Sequence, residues 1–172
     1  MQNFQEFLEN SLQQNIKKLV PLTGGASADI NRIILENNNE LIVRRSLSKE
    51  QSVMAVPKKL EAKIQRIVRL NDAPVPEIIF EFSEDEDIGE GYVMEAIPGE
   101  TIPRKILRDD KYKNVRSKLS FEIGRSLATI HQTKLDELTD LDSVTFEESL
   151  KKLYLVYSSF EQPQPVFELA FK

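Results

Sequence analysis

The sequence predicts an α+β fold: an antiparallel sheet with one helix laid across it, followed by a wholly helical segment. Three observations carry this expectation. Apolar runs at residues 30–35 and 41–43 are separated by Asn37, Asn38 and Asn39, which is the pattern of a hairpin. Leu60, Ile64, Ile67 and Val68 then share one face at helical spacing. Beyond Pro98-Gly99 no strand pattern returns, and apolar residues recur every three or four positions.

Taken in order, Phe4, Phe7, Leu8, Leu12, Ile16 and Leu19 predict an amphipathic helix over residues 3–19, ended by Pro21. The hairpin follows, within Leu22 to Leu47. Residues 48–70 read as a helix, with Pro57 in its first turn, where a missing N–H costs nothing. Glu61 lies on the flank of its apolar stripe, where Lys58 or Gln65 is close enough in sequence to satisfy it. Asn71 to Pro76 is a breaker. Strands are expected over 77–82 and 92–97, joined through an acidic turn at 83–87 and introduced by Gly89 and Gly91. In the helical part, short and long helices are expected at 102–107 and 112–133. Thr145 and Glu148 have capping-box spacing and open a helix running to Phe160. A fresh apolar pattern begins at Val166 and has no room to finish before Lys172, so the chain is expected to be incomplete.

Composition narrows the function classes. The 172 residues are 40% hydrophobic and 30% charged, enough for a real core in one domain or two small lobes. A net charge of -5 argues against a general nucleic-acid binder. The absence of cysteine excludes disulfides and thiolate sites, and a single histidine does not suit zinc. No apolar run approaches the roughly 20 residues of a membrane span, and the polar N-terminus has no signal-peptide core. A cytoplasmic protein is the expectation.

Chemistry is concentrated in the hairpin. Gly24, Gly25, Ala26 and Ser27 precede it, and Arg44 and Arg45 end it. Glycines that allow close backbone approach, facing a fixed cation, are one way to hold a polyphosphate. An ordinary hairpin with exposed arginines is the other reading of the same residues.

The stretches LTGGASADINRIIL, ELIVRRSL, LEAKIQRIVRLNDAPVPEII, DIGEGYVMEAIPGETI and IGRSLATIHQTKLD stand in order from about residue 22 to 136. On these the sequence resembles the N-terminal portion of the aminoglycoside phosphotransferase and choline kinase-like family. It looks closest to the branch also found fused to acyl-CoA dehydrogenase domains. The resemblance implies a protein-kinase-like N-lobe, with its N-terminal helix, nucleotide-binding sheet and hinge, over residues 1–97. It implies the start of a helical C-lobe over 98–172. Gly24, Gly25, Ala26 and Ser27 would form the phosphate-covering loop between the first two strands. Arg44 would stand where kinases carry the strand-three lysine, reaching ATP phosphates and pairing with Glu61 as the helix-C glutamate. Met94 and Glu95 would form the hinge strand, their backbone groups and those of Ala96 and Ile97 meeting the adenine edge. Val43, Ile79 and Met94 are implied as adenine-pocket walls, and Gly99 as the turn into the second lobe. His131, in LATIH, is implied to be a packing element.

One departure from the family pattern limits this reading. Relatives carry an HGD motif followed four residues later by Asn, and a further metal-binding Asp. Here the only histidine is followed by Gln-Thr-Lys, there is no Trp for a DWE-like segment, and the family pattern puts the lost motifs just past Lys172. The expected function is thus an ATP-dependent small-molecule phosphotransferase without its catalytic residues and Mg²⁺ ligands, inactive alone. The alternatives are a non-catalytic nucleotide-binding or interaction module and a scaffold that binds no nucleotide. A small-molecule hydroxyl acceptor, no nucleic-acid or membrane partner, and self-association through exposed C-lobe helices complete the expectations.

Overall fold

The computed structural model describes residues 3–22, 28–47, 56–83, 87–134, 136, 138 and 144–171. Its first element is a helix, α1 (Phe4–Leu12), opened by Asn3, whose side chain accepts from the Gln5 N–H. The helix is shorter than its periodicity predicts. Gln13 turns left-handed at φ 53, and the chain enters a strand, β1 (Ile16–Pro21). Ile16 and Leu19 also fit helical spacing, but pairing with Leu35 and Ile33 of the next strand buries them better than a lone helix could. The Glu9 carboxylate accepts the Ile16 N–H at 3.0 Å and secures the turn between helix and strand.

Strands β2 (Asp29–Leu35) and β3 (Glu40–Ser46) form the predicted hairpin. Asn38 holds φ 64 at its tip, a conformation asparagine tolerates, and the Asn37 side chain accepts from the Asn39 N–H. Helix α2 (Lys58–Leu70) starts one residue after Pro57, which is its N-cap rather than part of its first turn. Proline offers no capping side chain, and the Glu90 carboxylate supplies the acceptor instead, 2.8 Å from the Lys59 N–H. Strands β4 (Ile78–Ser83) and β5 (Glu90–Glu95) complete an antiparallel sheet in the order β1-β2-β3-β5-β4. That is five strands where the periodicity alone had predicted four.

The sheet has two covered faces. One packs on α1: Leu8, Ile33, Leu35, Val43, Phe82 and Val93 form its core, and Leu8, Ile33, Val43 and Val93 are fully buried. Burying each such side chain contributes about 1.5–3 kcal/mol. The other face packs on α2, through Ala62, Ile78, Tyr92 and Met94. Gly91 lets β5 lie tightly between its neighbours, because a Cβ there would stand 2.5 Å from the Arg44 carbonyl oxygen and 2.6 Å from the Phe82 ring. Gly99 has no such role. A Cβ at that position would meet nothing within 4 Å and its φ is outside the left-handed region, so the turn after β5 does not depend on glycine.

After β5 the described chain is helical: α3 (Pro103–Arg108), a 3-10 turn at Asp110–Tyr112, α4 (Lys113–His131), α5 (Phe146–Ser159) and α6 (Pro165–Ala170). None of these helices contains a buried residue. Arg116 ties α4 to the preceding turn by donating to the carbonyls of Ile106 and Asp109 at 3.0 and 2.8 Å. Thr145 and Glu148 form the predicted capping box in both directions. Tyr157 holds α6 against α5, stacking on Phe171 at 5.5 Å and donating its hydroxyl to Glu168 at 2.9 Å. Among the described residues no helix is long and apolar enough to cross a membrane. His131 ends α4 exposed to solvent, so it does not serve as a packing element there.

Candidate functional site

The α2 face of the sheet carries the chemistry. Directly opposed residues of an antiparallel pair share a face, and successive residues of a strand alternate. Arg44 is opposite Tyr92 and Ile30, and Ile42 is opposite Met94 and Arg32. Ile30, Ile42, Arg44, Tyr92 and Met94 therefore line one surface, the one against which α2 lies. Val43 falls on the other face, fully buried under α1. The expectation that Val43 walls an adenine pocket is thus overturned, and the apolar residue beside Arg44 on its own face is Ile42. The strand alternation could have found it: Ile42 is two residues before Arg44, and Val43 only one. Ile79 lies where the β4 register slips between Ile78 and Phe80, and it is 46% exposed. Its neighbour Ile78, paired with Met94, is the one that packs under α2.

Arg44 and Glu61 meet as a close ion pair, Nε to Oε2 at 3.0 Å. The other carboxylate oxygen, Oε1, takes Lys58 Nζ at 2.6 Å, and Tyr92 donates its hydroxyl to Oε2 at 3.2 Å. Of the sequence's two candidates for satisfying Glu61, Lys58 does so; Gln65 instead donates to the Pro76 carbonyl at 2.8 Å. In the sequence Tyr92 reads as an ordinary strand aromatic, and only the β3–β5 register puts it opposite Arg44.

The network's electrostatics follow from burial and charge together. Burial pushes the Glu61 carboxyl up, but hydrogen bonds from Lys58 and Arg44 and the charges of both outweigh it, holding the carboxyl below its usual range. Burial, and then the Glu61 charge, push the Tyr92 phenol up to about 12, so it stays a donor. Two cations share one carboxylate, so the Arg44–Lys58–Glu61 network itself carries one positive charge in surplus. Glu61 engages only Nε of Arg44, so the two terminal nitrogens of the guanidinium fork are not held by it. Such a surface suits an anion.

Of the other predicted residues, Gly24, Gly25, Ala26 and Ser27 lie outside the described residues. Met94 is half-buried in the α2-face cluster, with its sulfur 3.8 Å from Gln65 Nε2. The Glu95 N–H is taken by the Glu77 carbonyl at 2.9 Å, and the ladder ends there. The Glu95 N–H is therefore not available to an adenine edge, and the backbone leaves the sheet only at Ala96. Ile97 follows, 56% exposed. The Mg²⁺ implied by the family resemblance does not fit what is described. Among the described residues no three carboxylates or histidine come together to hold a metal ion.

Five antiparallel strands in this order, with a helix pairing its glutamate to a strand-three cation, form a kinase-like N-lobe joined to a helical part. The profile of the phosphotransferase enzyme family matches residues 18–169, and the chain belongs to that family. Searches of curated proteins and of solved structures return no significant match.

Proposed function

We propose that this chain binds the nucleotide of an ATP-dependent small-molecule phosphotransferase. Arg44 would hold the phosphates, residues 24–27 would cover them, and Ile30, Ile42 and Met94 would wall the base. The observation that carries this reading is the Arg44–Glu61 pair at 3.0 Å, which holds a cation on a face lined with apolar side chains. A guanidinium oriented by a carboxylate can take a phosphate oxygen with its remaining nitrogens. The chain's described residues bind and orient. No step through a metal follows from them, and the acceptor is left as a small molecule with a reactive hydroxyl.

Titration with ATP and with adenosine tests the reading. The wild type is expected to bind ATP more tightly than adenosine, and Arg44→Ala to erase most of that preference, about tenfold or more. No heat of binding and no thermal shift with ATP would sink it. A second reading is a nucleotide-binding module without turnover: within these 172 residues the one histidine is followed by Gln-Thr-Lys and no Gly-Asp. Phosphate release or transfer from ATP by the purified chain would overturn that second reading and leave the first intact.

A further inference from the structure

We infer that Lys58 is a positioning residue of this site: by holding one oxygen of Glu61, it keeps the Arg44 fork turned out to an anionic ligand instead of closed onto the carboxylate. The role rests on the nucleotide reading above.

The argument starts from an awkward placement. Lys58 opens helix α2, where the helix dipole disfavours a cation. Its side chain is also only 6% exposed, and burying an ammonium group is unfavourable unless it is paired. A lysine at this position is held there by a specific partner. That partner is Glu61, three residues on, at 2.6 Å.

The two carboxylate oxygens are divided. Oε1 receives Lys58, and Oε2 receives Arg44 Nε and the Tyr92 hydroxyl. An arginine and a carboxylate with no third party favour a two-pronged pair, with two parallel N–H···O bonds. Here Lys58 competes for the oxygen that the second prong would need and draws it away from the guanidinium. Arg44 is consequently gripped by one nitrogen, and its terminal nitrogens remain for the ligand. Without Lys58, Glu61 is free to turn and take Arg44 with both oxygens. The surplus positive charge would vanish at the same time, leaving one cation against one carboxylate. Both changes weaken binding of a polyphosphate and leave binding of an uncharged nucleoside alone.

The test is a set of titrations of the full chain with ATP and with adenosine. Lys58→Met is expected to weaken ATP binding about tenfold with adenosine unchanged, and Lys58→Arg to recover most of the loss. In an Arg44→Ala background the Lys58→Met change is expected to add little, because both act through one interaction. Lys58→Gln, which keeps a donor without the charge, serves if Lys58→Met does not fold, and should show a smaller but still ATP-selective loss, because Oε1 stays held and only the charge is gone. A merely structural lysine gives a different pattern: a lower melting temperature with ATP affinity within about twofold of wild type, or an equal loss whether or not Arg44 is present. Either pattern overturns the proposal while leaving the nucleotide reading standing. A wild type that does not bind ATP overturns both.

Discussion

The sheet and the helices that follow it are built on opposite terms. In the sheet region, residues from α1, β1, β2, β3, β4 and β5 close one core, and four of its large side chains have no exposed surface. In the helical region Val115, Ile123, Leu127 and Ile130 repeat along one face of α4 and are 48%, 57%, 49% and 37% exposed. Both regions contain amphipathic sequence. They differ in where their partners come from. A sheet buries its faces against a helix close in the chain, while a helix face needs a second surface to meet it. Amphipathic pattern is thus a demand for a partner, and in α4 that demand is not met by the described residues.

Substitutions can break or sharpen this comparison. The largest effect is expected at Ile33→Ala, which opens a cavity in the α1-face core and should cost about 2–5 kcal/mol in urea unfolding. A loss under about 1 kcal/mol would mean that the core is looser than its burial implies. Next comes Glu61→Gln, which leaves Arg44 and Lys58 without their anion and should cost about 1–3 kcal/mol at neutral pH. Its pH dependence has a definite sign. The folded-state carboxyl is held below its ordinary value of 4.5, so its contribution is present above that pH and is lost as pH falls through the lower folded value. The gap in stability between wild type and Glu61→Gln should therefore close only in acid below that ordinary value. A gap independent of pH down to the acid limit would refute the ionic account.

Smaller still is Thr145→Ala, which removes the capping box of α5 and should cost that helix about 1 kcal/mol, read as lost far-UV ellipticity. The smallest is Leu127→Ala on the exposed face of α4, expected to change stability by no more than about 0.5 kcal/mol. The same face should instead govern association: light scattering is expected to give a mass above the 19.8 kDa of one chain, and Leu127→Glu to lower it. A monomeric wild type would show that the stripe does not draw chains together.

Much of the fold was legible because it rests on local signals. Asn37 to Asn39 mark a turn through asparagine's tolerance of left-handed backbone, and Thr145 with Glu148 mark a helix start through reciprocal hydrogen bonds. The end of α1 was not legible. Ile16 and Leu19 suit a helix or a strand equally, and the decision was made by Leu35 and Ile33, far along the chain. The site was legible in part through the family resemblance. Arg44 and Glu61 could be matched by order along the chain, and their pairing at 3.0 Å is present. Val43 lies on the surface opposite the one the resemblance implies, and choosing between Val43 and Ile42 requires knowing which face Arg44 occupies. Tyr92 could be seen only once the register of β3 against β5 was known.

Composition, turn chemistry and periodicity by themselves determined an α+β chain with a hairpin, a crossing helix and a helical C-terminal part; one arginine and one glutamate became a candidate pair only through the family resemblance. Those signals act between residues a few positions apart, where the backbone's own geometry decides the outcome. Tertiary structure alone decided the fifth strand, the two faces of the sheet, the capping of α2 by Glu90, and the division of Glu61 between Lys58 and Arg44. Each of these depends on strand register and on burial against distant residues. A shift of one residue in register would carry Arg44 to the other face and dissolve the site.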